Sequence, residues 1–241
     1  MQNTVKLLVY LAVWRRPEIT EICFMGLNRL RKVKGYDINV LAVISEEEMI
    51  PLCEKYDVNW VMHYNKPLGK KKNFGLKHAL KFDWEYLIEI GSDDLLKDEI
   101  LDLYRPHFGK SPIIGLTSLC FINSEDLACR FYPSRSGFGA GRAIQRQVIE
   151  KMGSLWRDHL MHGLDNSSTF AMARHGFLER RIQAIKPIAL DIKSETNIWK
   201  FNYLLGAEYP LEKALDGLSE EEINAIRCLA TENKSADLID A

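Results

Sequence analysis

The chain has 241 residues, 46% hydrophobic and 27% charged, enough for one large packed domain or two small ones. Its 32 Lys and Arg nearly balance 33 Asp and Glu, which excludes a basic whole-protein footprint for nucleic acid or anionic membrane. No stretch approaches the ~20 apolar residues that span a bilayer, and the N-terminus lacks a basic, apolar and small-residue leader pattern, so a cytoplasmic protein, at most peripheral to a membrane, is expected.

Val5 to Val13 is a nearly unbroken apolar run, the pattern of a strand buried on both faces. Pro17 suits a first helical turn, and Ile19, Ile22, Cys23, Gly26, Leu27 and Leu30 form one helical stripe behind it. Gly35 ends that helix. A second strand follows at Ile38 to Ile44, then Ser45 and Glu48 at capping-box spacing. A third strand is expected at Asn59 to Tyr64, then a lysine-rich loop within Lys66 to Phe82 that runs into a helix, then a fourth strand, Tyr86 to Ile90, closed by Gly91-Ser-Asp-Asp94. This alternation predicts βαβ units and a mostly parallel sheet with helices on both faces, whose ligands sit at the carboxyl ends of the strands.

After Ile100 the rhythm changes. A strand is expected at Ile113 to Ile122, a glycine-rich stretch at Gly137, Gly139 and Gly141, and a helix from about Arg142 to Met152. Another helix spans Asp165 to His175, and a late strand Ile182 to Ile192. The second half thus reads as an α+β extension of the first. From Glu212 onward eight acids face three bases, a net −5, so residues 1–211 carry +4. Ser219 and Glu222 again have capping-box spacing, which starts an acidic helix to about Ala230, with fraying after it. The five cysteines show no CxxC pair or zinc spacing and read as free, buried thiols.

Asp93 and Asp94 at a strand end suit a hard divalent cation that holds phosphates; the plainer alternative is that they turn the chain and cap a helix from Leu95. Three features converge on the same edge. Trp14-Arg15-Arg16-Pro17 puts two guanidinium groups beside a helix start. Six lysines fall within Lys66 to Lys81, three of them contiguous at Lys70, Lys71 and Lys72, where a diphosphate could sit. Asp165, in Gly163-Leu-Asp-Asn166, is either a helix N-cap or a general base. His159 and His162 could share a helix face, but without a paired carboxylate they read as structural or acceptor-side residues. Gly137-x-Gly-x-Gly141 lacks the full dinucleotide fingerprint and reads as a flexible loop.

Together these segments resemble the GT-A family of nucleotide-sugar glycosyltransferases, family-2-like, over roughly Val5 to Ile192. The family's first-strand turn is matched by Trp14 to Pro17, its Arg-Asn-x-Gly stretch near the diphosphate by Lys72-Asn73-Phe74-Gly75, and its metal-binding Asp-x-Asp by Gly91-Ser92-Asp93. Its Ala-Ile-x-Arg acceptor-side helix is matched by Ala143 to Arg146, and its Glu-Asp motif by Leu164-Asp165. Gly91 stands where the first aspartate would be, which leaves Asp93 as the metal ligand and Asp94 as a second candidate. Leu164 replaces the glutamate, Ile44-Ser-Glu-Glu47 replaces the acidic turn at the nucleotide base, and Asp191 or Lys193 occupies the region of a late metal-binding histidine.

The resemblance implies a GT-A type, Rossmann-like domain over 1–211, with a nucleotide-binding half of about 1–110 and an acceptor half of about 111–211, and an acidic helical tail at 212–241. It implies transfer of a sugar from a nucleotide diphosphate sugar to a hydroxyl of a glycan, lipid-linked sugar, protein or modified base. Mg²⁺ or Mn²⁺ would sit on Asp93 and Asp94, with Trp14, Arg16, Lys70, Lys72, Asn73 and Ser92 around the donor and Asp165 as the base of an inverting displacement. The rivals are a sugar nucleotidyltransferase, although Trp14 to Pro17 is not its glycine-rich phosphate loop, and a non-catalytic sugar-nucleotide or glycan-binding module on the same scaffold.

Overall fold

The computed structural model describes residues 4–237. Its first half runs β1 (Val5–Ala12), α1 (Pro17–Leu30), β2 (Tyr36–Ile44), α2 (Ile50–Lys55), β3 (Asn59–Met62), α3 (Leu68–Ala79) and β4 (Tyr86–Gly91). The chain continues through β5 (Asp94–Leu96), α4 (Glu99–Tyr104), β6 (Ile113–Leu116), β7 (Ser118–Asn123), β8 (Cys129–Pro133), β9 (Arg142–Gln145) and α5 (Arg146–Met152). It closes with α6 (Leu164–Arg174), β10 (Glu179–Ile182), β11 (Ala189–Lys193), β12 (Ala207–Glu208), α7 (Leu211–Leu215) and α8 (Glu220–Asp237).

Seven strands form the central sheet in the order β10-β6-β9-β4-β1-β2-β3, and only β9 runs against the others. Successive residues of β1 alternate between two cores. Leu7, Val9 and Leu11 pack with Cys23, Phe24 and Leu27 of α1, while Leu8 and Tyr10 pack with Leu76 of α3 and Val148 of α5. That double burial is why β1 is apolar throughout rather than alternating. The fold is therefore the mixed α/β, mostly parallel architecture with helices on both faces.

A second sheet, ordered β12-β8-β7-β11-β5, lies at the carboxyl side of the first. The chain crosses into it immediately after β4 and again between β6 and β7, so the expected single strand Ile113 to Ile122 is two strands in two sheets. Likewise Ile182 to Ile192 divides between β10 at the edge of the first sheet and β11 inside the second.

Several local expectations are corrected. Asp93 and Asp94 cap no helix, because the chain enters β5 at Asp94. Arg142 to Gln145 is a strand, paired antiparallel to both β4 and β6, and the helix starts only at Arg146. Lys70 to Lys72 lie on α3 rather than in a loop, since that helix begins at Leu68. The Ser45–Glu48 capping box does not form; the Ser45 hydroxyl donates to the His63 carbonyl at 2.9 Å and accepts from Lys71 Nζ at 2.6 Å. The second box does form, with Ser219 N–H donating to Glu222 Oε2 at 2.7 Å and Glu222 N–H to Ser219 Oγ at 3.2 Å.

The acidic C-terminal helix α8 reaches past Ala230 and packs on α1. Ile226 and Leu229 join Ile19 and Ile22 in a third apolar cluster, and Arg29 of α1 donates to both oxygens of the fully buried Glu222, at 3.2 and 2.9 Å. The expected fraying at the extreme C-terminus, 238–241, lies outside the described residues.

Candidate functional site

Where β4 ends, the chain turns through Gly91-Ser92-Asp93 into the second sheet, and carboxylates gather at that crossing. Asp191 on β11 pairs directly opposite Asp94 on β5, so two residues 97 positions apart become neighbours through one antiparallel register. One oxygen from each of Asp93, Asp94 and Asp191 lies within 4.8 Å of the other two. A Cβ at Gly91 would stand 2.4 Å from Asp93 Oδ1 and 3.2 Å from Asp94 Oδ2. The carboxylates thus occupy the volume a side chain at Gly91 would need.

The cluster is held from several sides. Arg16 donates through Nη1 to Asp93 Oδ2 at 3.2 Å and to Asn197 Oδ1 at 2.7 Å, and through Nη2 to Ser92 Oγ at 3.2 Å. Asn197 Nδ2 also donates to Asp93 Oδ2 at 2.5 Å. Arg15 and Arg16 both adopt the left-handed conformation, with φ of 56° and 57°. Non-glycine residues reach it at a cost of roughly 1–2 kcal/mol each, and here it turns the Arg16 guanidinium onto the carboxylates. Asp94 Oδ2 accepts the Gly91 N–H at 2.6 Å. Asp191 Oδ2 pairs with Lys193 Nζ at 2.6 Å, and Lys193 lies 5.5 Å from the Phe121 ring centroid and 5.4 Å from that of Trp199. Asp191 Oδ1 is buried and has no hydrogen-bond partner among the described residues.

Crowding sets the protonation of the cluster. Burial first, then the charges of Asp191 and Asp93, push Asp94 well above the usual carboxylate range. Burial also raises Asp191, to about 6, against the pull of Lys193. Lys193 is itself buried, but the carboxylates around it outweigh that burial and hold its pKa above the ordinary value. Two buried carboxylates and one partly buried one, with one oxygen unsatisfied, fit a divalent cation such as Mg²⁺ or Mn²⁺.

A cavity of about 270 Å³ opens over this cluster and is walled also by Arg16, Lys72, Glu89, Phe138, Asp165 and Trp199. Asp165 lies one residue inside α6, whose N-cap is Gly163. Its carboxylate caps nothing in its own helix and accepts instead from the Gly139 N–H at 2.9 Å. A Cβ at Gly139 would stand 2.4 Å from Asp165 Oδ1, so a glycine there lets the loop close onto the acid. Lys72 pairs with Glu89 and lies 4.3 Å from the Trp156 ring centroid.

A second cavity of about 360 Å³ adjoins the first, sharing Ala12, Arg16, Leu68 and Ile198 as walls, and adds Trp14, Asn65, Lys71 and His162. Lys71 is fully buried there. Its ammonium donates to three neutral oxygens, Val13 O at 2.5 Å, Ser45 Oγ at 2.6 Å and Asn65 Oδ1 at 3.2 Å, and burial lowers its pKa to about 7.

The sequence candidates therefore separate. Arg16, Lys72, Ser92, Asp93, Asp94 and Asp165 surround the first cavity and Trp14 lines the second. Lys70 points to solvent, 5.5 Å from the Tyr64 ring centroid, and lines neither cavity. Asn73 lines neither, because its amide clamps the Leu155 to Asp158 segment: Nδ2 donates to Trp156 O and Asp158 Oδ1, and Oδ1 accepts from the N–H groups of Leu155 and Trp156. Arg146 is spent on the carbonyls of Leu80 and Phe82. Sequence reasoning missed Asn197, Trp199 and Glu89. Only Glu89 carried a signal, a carboxylate inside the apolar run of β4.

No protein-family model and no curated protein sequence matches the chain. Solved structures do resemble it. The catalytic domain of Drosophila beta1,4-galactosyltransferase 7, in complex with xylobiose, superposes with a TM-score of 0.52 at 16% identity, over 76% of this chain and 67% of that one. The mannosyltransferase PcManGT from Pyrobaculum calidifontis, in complex with GDP-Man and Mn²⁺, gives 0.53 at 13% identity, over 98% and 75%. A CMP:2-keto-3-deoxy-manno-octonic acid synthetase complexed with CTP gives 0.50 at 11% identity, over 94% and 99%. The chain has the GT-A-type fold that nucleotide-sugar glycosyltransferases use.

Proposed function

We propose that the chain is a metal-assisted glycosyltransferase that moves a sugar from a nucleoside diphosphate sugar to an acceptor hydroxyl. The observation that carries this reading is one cavity whose walls include both the Asp93, Asp94 and Asp191 cluster and Asp165. Five carboxylates and three cations line that cavity, a balance that by itself repels a diphosphate. A divalent cation held by Asp93, Asp191 and Asp94 would cancel that excess and supply charge neutralisation for the leaving nucleoside diphosphate.

Arg16, beside the cluster, and Lys72, elsewhere on the cavity lining, bring fixed positive charge to the cavity and orient the diphosphate. The adjoining cavity, with Trp14 and Arg16 among its walls, takes the nucleoside. Asp165, kept in place by the Gly139 N–H, accepts the proton of the attacking hydroxyl. A carboxylate facing the sugar from the side opposite the leaving group gives inversion at the anomeric carbon. The cavity rim at the exposed Trp199 admits an acceptor from solution or from a membrane surface; among the described residues no helix is long and apolar enough to cross a membrane.

The likeness to a CTP-bound synthetase supports a second reading, nucleotidyl transfer. A panel of nucleotide sugars and nucleoside triphosphates with Mn²⁺ separates the two. Release of nucleoside diphosphate from a sugar nucleotide, abolished in folded Asp165→Asn, is the expected result. Release of pyrophosphate from CTP with a free sugar acid, and no turnover of any sugar nucleotide, would establish the rival.

A further inference from the structure

Glu89 has no counterpart in the chemistry described above, yet it sits at the centre of β4, only 1% exposed, beneath the cavity floor. One carboxylate oxygen pairs with Lys72 and the other with Arg142 at 2.7 Å. Arg142 is the cross-strand partner of Glu89 on β9 and is fully buried. Its guanidinium continues into α6, donating to Ser168 Oγ at 2.7 Å, to Thr169 Oγ1 at 2.9 Å and to the carbonyl of Asp165 at 3.4 Å. The buried cations overcome the burial of Glu89 and keep its pKa below the ordinary value, so the carboxylate stays ionised.

Stability alone gives little reason for this arrangement. Leu87, two residues earlier on the same strand face, packs with Leu76, Val148 and Met172, and an apolar residue at 89 would extend that cluster. Buried ion pairs are often no more stabilising than apolar groups of similar volume. What the ions do that apolar groups cannot is fix directions. A single carboxylate sets the Lys72 ammonium on the donor side and, through Arg142, the first turns of the helix that carries Asp165.

We propose that Glu89 is a positioning residue that locks Lys72 and, by way of Arg142, the Asp165 end of α6 into one rigid frame. The inference rests on the transferase reading, in which Lys72 meets the diphosphate and Asp165 the acceptor. A displacement of about 1 Å in such a frame costs on the order of 100-fold in rate.

The test uses the full chain in two forms, Glu89→Gln and the apolar pair Glu89→Leu with Arg142→Met. The double variant removes both partners of the Glu89–Arg142 pair and leaves only Lys72, which reaches the cavity, without its carboxylate, whereas Glu89→Gln alone leaves Arg142 fully buried against a neutral amide. Turnover of the sugar nucleotide that the wild type uses is measured as kcat and acceptor KM, with melting temperature and amide hydrogen exchange of 164–170 recorded beside them. The expected result is a kcat lower by about 10- to 100-fold in the double variant, an acceptor KM within about threefold, a near wild-type melting temperature, and exchange in 164–170 faster by at least about tenfold. Wild-type kcat in the folded double variant would show Glu89 to be packing only and overturn the proposal. If the wild type turns over no sugar nucleotide, the transferase reading fails by itself; unchanged exchange in 164–170 then overturns the frame as well, and accelerated exchange upholds it.

Discussion

Lys71 offers a measurement in which the structure supplies sign and size. Its ammonium is fully buried against three neutral oxygens, and its pKa falls from 10.5 to about 7 because burial disfavours the charge. Glu46 is the charge that partly offsets this. In the unfolded chain Lys71 keeps its proton up to its ordinary value, so between about pH 7 and 10 the unfolded state binds more protons than the native one. Stability contributed at this site therefore rises with pH across that window and is lowest below pH 7, where the native state must bury the charge. Each full pH unit on that slope is worth about 1.4 kcal/mol and the unit from pH 7 to 8, where half of the native ammonium has already lost its proton, about 1 kcal/mol, so from pH 7 to pH 9 the gain is about 2 kcal/mol. Lys71→Met has no proton to lose, and the oxygens it leaves without a donor cost the same at both pH values. Urea unfolding of the two proteins at pH 6, 7, 8 and 9, followed by tryptophan fluorescence, gives the difference directly. A wild-type curve that rises relative to the variant by about 2 kcal/mol fits the burial argument; parallel curves would refute it.

Three further expectations follow from the packing and the carboxylate cluster. Asp191→Asn removes the charge of the residue whose Oδ1 is unsatisfied, and should weaken Mn²⁺ binding, read by calorimetry, by at least about tenfold; an unchanged isotherm removes Asp191 from the metal site. Arg29→Met strands the buried Glu222 and should cost about 3 kcal/mol in urea unfolding, whereas a loss below about 1 kcal/mol would mean that α8 docks through its apolar face alone. Cys23, Cys53, Cys120 and Cys129 are buried and Cys228 is exposed, so one thiol per native chain should react quickly with a disulfide reagent, and rapid reaction of two or more contradicts the packing.

The local grammar of the first half was legible residue by residue. An apolar run bounded by breakers reads as a strand wherever both faces are buried, which is why β1, β2 and β4 stand close to their expected places. The stripe from Ile19 to Leu30 reads as α1 because helix periodicity is a short-range property. Charge in the wrong place was legible too: Asp93 and Asp94 at a strand end and Asp165 at a helix start drew notice from their neighbours in sequence alone. Where the expectation went astray, the missing quantity was pairing. Ile113 to Ile122 is apolar enough for one long strand, and only the choice of partners, β9 and β10 for one half and β8 and β11 for the other, breaks it at Thr117. Arg142 to Gln145 has helical company on its C-terminal side and becomes a strand because a gap between β4 and β6 receives it.

The site divides the same way. Residue type and local turn placed Asp93, Asp94, Arg16 and Asp165 as candidates, since a carboxylate or guanidinium at an element's end is visible in a few residues. The tertiary structure decided which side chains share a cavity. It brought Asp191 opposite Asp94 through an antiparallel register, turned Asn73 and Lys70 away, and set Glu89 between Lys72 and Arg142. Those outcomes depend on strand order and on which charges can be buried together, and both are settled by contacts between residues far apart in the chain, whose energies no local window contains.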